Sequence, residues 1–145
     1  MKSIRVALCF LLNLLASCGK PTELPVAPLE PPAVVLPAHY EWLDAAQAEQ
    51  LIADTPDLQI MDVRSDEEIT DGHGWIVKSQ RANYVTDNKR FLKAWDKTKP
   101  WLVYCAIGGR AELTAADMAQ LGYQKVYLLK DGFNAWRRAG KPTIK

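Results

Sequence analysis

The stretch that decides the fold is Trp101-Leu102-Val103-Tyr104-Cys105-Ala106-Ile107-Gly108-Gly109-Arg110-Ala111. Trp101 to Tyr104 is an unbroken run of strand-forming apolar residues, the pattern of a short strand buried on both faces. Gly108 and Gly109 interrupt it, and a segment with helical spacing follows, with Ala111, Ala115, Met118 and Gly122 on one face. Strand, tight loop and helix thus succeed one another, with Cys105 where the strand ends. Successive N–H groups in a tight loop that enters a helix converge into an anion-binding concavity. A thiolate placed there is favoured by the same dipoles. Arg110 adds a permanent positive charge and a forked set of donors. The expectation is a sulfur nucleophile, Cys105, in a cradle formed by Ala106, Ile107, Gly108, Gly109 and Arg110.

Working outward, Tyr40 to Leu43 reads as a short strand, and Asp44 with Gln47 has the spacing of a capping box. Ala45, Ala48, Leu51 and Ile52 give the helix that follows one apolar face. Leu58 to Val63 reads as a strand, and Ser65-Asp66-Glu67-Glu68 suits the acidic first turn of a short helix. Asp71 to Ser79 has turn residues and no period, and Arg81 to Val85 reads as another short strand. Asp87 is the expected cap of a helix whose buried stripe is Phe91, Leu92 and Trp95. Lys125 to Leu129 is a last strand, and Asp131 the expected cap of a helix carrying Phe133 and Trp136, closed by Gly140 and Pro142. This alternation predicts a single α/β domain over residues 38–145, with a central, mostly parallel sheet flanked by helices on both faces. Sites in such sheets form beyond the carboxyl ends of the strands, where Cys105 falls.

A chain of 145 residues is long enough for one domain with a core. Its net charge of +1 gives no argument for nucleic acid as a partner. The cysteines are Cys9, Cys18 and Cys105, and the histidines are His39 and His73. No close Cys or His pair has metal-ligand spacing, so neither a metal site nor a cofactor is expected.

Met1 to Arg5 is short and basic, and Val6 to Ala16 is apolar apart from Asn13. The run falls short of the ~20 residues that cross a bilayer and fits the core of a secretory signal. Leu15-Ala16-Ser17-Cys18 follows and resembles the bacterial lipobox, which implies a signal peptide over 1–17 and lipidation of Cys18. Gly19 rather than Asp after that cysteine favours the outer membrane. Residues 18–37 hold Pro21, Pro25, Pro28, Pro31, Pro32 and Pro37, a semi-rigid tether able to span roughly 60 Å. The expected location is the bacterial cell envelope, lipid-anchored and facing the periplasm.

Several separate stretches resemble the rhodanese family of sulfurtransferases: Asp62-Val63-Arg64 with Glu68, Gly72-His73, the loop Cys105-Ala106-Ile107-Gly108-Gly109-Arg110-Ala111, Val126 to Leu129, and Asp131-Gly132-Phe133-Asn134-Ala135-Trp136. The likeness covers nearly all of residues 38–145. It departs in a longer segment after His73, and in Asp131-Gly132 where the family often has two glycines. The resemblance implies that Cys105 takes sulfane sulfur from a small anionic donor such as thiosulfate. A persulfide forms, and its sulfur passes to a thiol or to cyanide. Ala106 to Arg110 would bind the donor. Arg64 and Glu68 are expected to form a structural ion pair, Asp62 to bond local backbone, and His73 to sit in a turn. The five tryptophans are read as packing, with Trp75 placed to border the site. Two other readings stay open: a persulfide carrier without turnover, and a phosphatase or arsenate reductase. The latter use a loop one residue longer than the Cys105–Arg110 span.

Overall fold

The apolar run around Trp101 lies at the middle of a parallel sheet. A computed structural model of the chain describes residues 40–145. The expected signal segment, Cys18 and the proline-rich stretch lie outside the described residues. In chain order the elements are β1 (Tyr40–Leu43), α1 (Ala45–Asp54), β2 (Gln59–Asp62), α2 (Asp66–Thr70), β3 (Ser79–Arg81), α3 (Asn88–Ala94), β4 (Pro100–Tyr104), α4 (Gly109–Gln120), β5 (Lys125–Leu129) and α5 (Gly132–Arg138). The strand order is β1-β5-β4-β2-β3, and every pairing is parallel, with Val103 opposite both Met61 and Leu128. Parallel neighbours need long crossovers, which the helices supply.

Alternation along β4 sends successive side chains to two cores. Trp101, Val103 and Cys105 pack with Leu92 of α3 and with Ala111, Ala115 and Met118 of α4. Leu102 and Tyr104 pack with Ala45 and Ala48 of α1 and with Phe133 and Trp136 of α5. The unbroken apolar run of β4 thus follows from having helices on both faces.

The α/β architecture expected from the sequence is the observed one, and the differences are local. Asp44 caps α1 by accepting the N–H groups of Ala46 and Gln47, both at 2.9 Å, and Gln47 returns a bond to the Asp44 N–H. Ser65 and Glu68 form the same box on α2. Asp87 precedes α3 but makes no side-chain cap bond; its carboxylate faces Arg90 at 3.2 Å instead. Gly122 does not continue the buried face of α4. It ends the helix at φ +84°, and Tyr123 N–H reaches back to the Met118 carbonyl at 3.1 Å. The expected strand over Arg81 to Val85 is placed earlier, at Ser79–Arg81. Asn83 is the reason: its Oδ1 accepts the Val85 N–H at 3.0 Å, a local turn that competes with the ladder.

A polar knot lies under the end of β4. Arg64 is 1% exposed and Asp62 fully buried. Arg64 Nη2 lies 2.7 Å from Asp62 Oδ2, and its guanidinium carbon lies 3.9 Å above the Phe133 ring. Burial disfavours the Arg64 charge, but the hydrogen bonds and charge of Asp62 outweigh it and raise the arginine's pKa. The expected Arg64–Glu68 ion pair does not form. Asp62 is two residues away and buried with Arg64, whereas Glu68 offers Arg64 only its backbone carbonyl at 3.5 Å. Asp62 does bond local backbone, accepting the Arg64 N–H at 3.0 Å. Tyr104 donates to Asp62 at 2.8 Å, accepts the Ile76 N–H at 3.2 Å and lies 2.9 Å from Ser79 Oγ. Burial pushes the Tyr104 phenol pKa up, with Asp62 adding to the shift. Tyr104→Phe strands the buried Ile76 N–H, so it should cost about 1–3 kcal/mol, read as a lower urea midpoint with unchanged slope.

Candidate active site

Cys105 follows β4 directly and is fully buried, a free thiol. Gly108 turns the chain at φ +111°, a conformation that favours glycine. The turn brings the Gly108 N–H to 3.1 Å from Cys105 Sγ. Ala106, Ile107, Gly109 and Arg110 give their N–H groups to no protein acceptor among the described residues. Of the five cradle residues named from the sequence, Gly108 is the one whose amide is placed on the sulfur, and the other four amides are left unclaimed by protein acceptors among the described residues.

The orientation of this loop is set by the last helix. The Phe133 N–H donates to the Cys105 carbonyl at 2.7 Å, and the Asn134 N–H to the Ala106 carbonyl at 3.1 Å. In a trans peptide the C=O and the following N–H point in opposite directions. Holding these two carbonyls against α5 therefore turns the N–H groups of Ala106 and Ile107 away from α5. Asp131 was the expected side-chain cap of this helix, but it makes no cap bond and takes a left-handed conformation, φ +54°. The loop carbonyls have taken the cap's place, satisfying N–H groups that a helix start leaves unpaired. Gly132, at φ +59°, makes the approach possible: a Cβ there would lie 2.6 Å from the Ala106 carbonyl and closer still to the Cys105 oxygen.

Arg110 is held from the other side. Its Nη1 and Nη2 each lie 2.6 Å from a carboxylate oxygen of Glu68, a fork-on-fork pair. Glu68 also accepts the Ser65 N–H at 2.8 Å, so the cap of α2 aims the carboxylate. Arg110's hydrogen bonds hold the Glu68 carboxyl down to about 2. Arg110 in turn has its pKa raised first by Glu68, with a smaller contribution from Cys105, against the cost of partial burial. A carboxyl depressed from 4.5 contributes stability that is complete above that value and lost as pH falls toward about 2. Wild-type urea midpoints should therefore drop across that window more steeply than those of Glu68→Gln. Equal slopes would mean that the pair contributes nothing to folding.

A cavity of about 500 Å³ runs along the loop, walled by Trp42, Ile107, Gly108, Glu112, Lys130 and Asp131 among others. Cys105 does not line it; Gly108, whose N–H touches the sulfur, does. Trp42 lies against Gly108, with ring carbons 3.3 and 3.5 Å from where a Cβ would sit. Trp75, the tryptophan expected near the site, instead forms a backbone bridge with Ile144. His73 is exposed in a turn, its N–H on Asp71 at 2.8 Å. Among the described residues no cluster of three or more His, Cys, Asp or Glu could hold a metal ion, and no helix is long and apolar enough to cross a membrane.

Sequence reasoning missed three contributors: Glu68 as the anchor of Arg110, Gly132 as the contact point of α5, and Trp42 as a wall. Only the first left a usable signal, the Ser65-x-x-Glu68 box that fixes where the carboxylate begins.

Comparison with known proteins bears on the whole arrangement. The rhodanese-like domain family model matches residues 44–139. The thiosulfate sulfurtransferase GlpE of Actinobacillus pleuropneumoniae serotype 7 is 35% identical over 78 residues, which are 52% of this chain and 72% of that one. A rhodanese-related protein from Thermoplasma volcanium shares the fold with a TM-score of 0.63 at 24% identity, covering 72% of this chain and 98% of that one. A Rhodopseudomonas palustris protein described as a possible tyrosine phosphatase gives a TM-score of 0.60 at 30% identity, covering 72% of this chain and 85% of that one. By the extent of the family match and the identity to its relatives, this chain belongs to the rhodanese-like domain family.

Proposed function

We propose that the protein is a sulfurtransferase that carries sulfane sulfur on Cys105. The observation that carries this reading is the Gly108 N–H at 3.1 Å from Cys105 Sγ, in a loop whose carbonyls are tied back to α5. The Cys105 thiolate attacks the outer sulfur of thiosulfate. An S–S bond forms to Cys105, the donor's S–S bond breaks, and sulfite leaves with the bonding electron pair. The two negative charges of thiosulfate leave on sulfite, and the single charge of the thiolate passes to the terminal sulfur of the persulfide. A thiolate or cyanide then attacks that terminal sulfur and frees the Cys105 thiolate. Every species is anionic, so fixed amide donors act on the charge throughout. Arg110, held by Glu68, adds a positive charge beside them.

Supporting this reading are the family membership, the relative named thiosulfate sulfurtransferase, and the geometry of the loop. The phosphatase reading draws on the Rhodopseudomonas palustris neighbour. The five-residue step from Cys105 to Arg110 is short for a tetrahedral phosphate and suits a single sulfur atom. Mass spectrometry of the protein treated with thiosulfate should find one added sulfur on Cys105, and an aryl phosphate should not be turned over. Phosphate release without sulfur uptake would reverse the assignment. Multiple turnovers with cyanide, against a single loading event, separate an enzyme from a carrier.

The location proposed with this function is the cell envelope, with Cys18 as the lipid attachment point. Mass analysis of the mature N-terminus should show a lipidated Cys18. An unmodified Cys18 thiol would remove the anchor from the account.

A further inference from the structure

The cavity along the loop is not used by the steps above, and its chemistry differs from that of the cradle. Resting on the sulfurtransferase reading, we propose that it is the acceptor site and that it takes a small thiol carrying a positively charged amine. Its position fits an acceptor. Ile107, Gly108 and Gly109 form one wall, and the Gly108 N–H is 3.1 Å from Cys105 Sγ. Gly108 is thus shared by the cavity wall and the immediate surroundings of the sulfur to be collected. A volume of about 500 Å³ is that of a small-molecule site.

Its charge is the discriminating feature. Asp44, Glu112 and Asp131 line it against a single cation, Lys130. Among the described residues, the side chains of Glu112, Asp131 and Lys130 have no ion-pair or hydrogen-bond partner. Arg110 is not among the residues that line the cavity, and its guanidinium is turned to Glu68. The Trp42 ring beside Gly108 gives an ammonium an aromatic neighbour. Carboxylates in excess repel a dianion such as thiosulfate or sulfite and attract an ammonium. Donor and acceptor are thereby distinguished by charge at a loop they share, the anionic donor drawn by the loop amides and the acceptor's ammonium by the carboxylates that line the cavity. The transfer balances: the acceptor thiolate bonds to the terminal persulfide sulfur, the enzyme's S–S bond breaks, and its electrons return to Cys105. The acceptor's thiol proton goes to solvent.

The test uses the whole protein loaded with thiosulfate and freed of excess donor. Loss of the added sulfur from Cys105 is followed in single turnover with cysteamine, 2-mercaptoethanol and 3-mercaptopropionate. The readout is the cysteamine to mercaptopropionate rate ratio, compared between protein variants so that the intrinsic reactivity of each thiol cancels. Exposed charge pairs of this kind change such ratios by about two- to fivefold. Glu112→Gln and Asp131→Asn should each lower the ratio by that factor, Lys130→Gln should raise it, and added salt should compress all three effects. A merely structural role for these side chains would not give opposite signs. Ratios unchanged in all three variants overturn the acceptor assignment alone. Failure of Cys105 to take up sulfur overturns the sulfurtransferase reading and this inference with it.

Discussion

Gly132→Ala is expected to destabilise the protein by about 2–5 kcal/mol and to slow sulfur loading of Cys105 by about a hundredfold. Two costs combine. A non-glycine residue in the left-handed region costs about 1–2 kcal/mol, and Gly132 sits at φ +59°. Forcing an extra carbon into packed structure costs about 1–3 kcal/mol more, and here the new Cβ meets the backbone of Cys105 and Ala106. Backbone cannot rotate aside as a side chain can, so either α5 retreats or the loop does. Both movements break the bonds from Phe133 and Asn134 that orient the loop amides. Misplacement by about 1 Å at a reacting centre is enough for a hundredfold loss. Gly140→Ala is the matched control. Gly140 also has a positive φ, +67°, but nothing lies within 4 Å of its Cβ position. It should carry the conformational cost alone and load sulfur at the wild-type rate. Equal losses of thermal stability and of loading in the two variants would dismiss the clamp.

Cys105→Ser is expected to take up no sulfur at all, and thiosulfate consumption should fall by at least about a thousandfold. Oxygen for sulfur leaves a hydroxyl that stays protonated at neutral pH and cannot hold a sulfane sulfur. The hydroxyl still has a donor in the Gly108 N–H, so the fold should survive with a small shift in melting temperature. The measurement pairs a thermal melt with peptide-level mass spectrometry after thiosulfate treatment. The chain has two further cysteines, Cys9 and Cys18, so the sulfur must be mapped rather than counted. Sulfur transfer at the wild-type rate in Cys105→Ser would remove Cys105 from the mechanism.

What the sequence revealed follows the range of the interactions concerned. The central strands were legible because burial on both faces writes an unbroken apolar run, as in Trp101 to Tyr104. The starts of α1 and α2 were legible because their signals are local, a capping box over four residues in α1 and an acidic first turn in α2. The turn from β4 into α4 was legible because the residues that make it all lie between Cys105 and Arg110. Partners across the fold were not. Glu68 and Arg110 are 42 residues apart, and nothing local to either shows that Arg64 will choose Asp62 and leave Glu68 for Arg110. Asp131 looked like a cap because Asp before a helix usually is one. Its carboxylate is displaced from that role by carbonyls from a distant loop. The departure from two glycines at 131–132 costs the fold little, since Asp tolerates a left-handed backbone better than most residues. The second glycine, which the close approach requires, is retained. Trp42 was indistinguishable from a packing residue until the sheet order placed β1 beside β5.

The clamp between the loop and α5 also bears on the order of events during synthesis. Cys105 and its amides leave the ribosome before residues 132–134, yet those residues orient the amides. β1 is in the same position, since among the described residues it pairs only with β5. A nascent chain ending before Lys125 therefore holds its cysteine beside an undirected loop and, among the described residues, leaves β1 without a partner strand; one ending at Lys130 has β5 for β1 but still lacks the residues that direct the loop. Contacts so distant in sequence form late. Assembly of the loop around Cys105 is then a closing step of folding, and a chain cut short before α5 should carry an unreactive cysteine rather than a misdirected one.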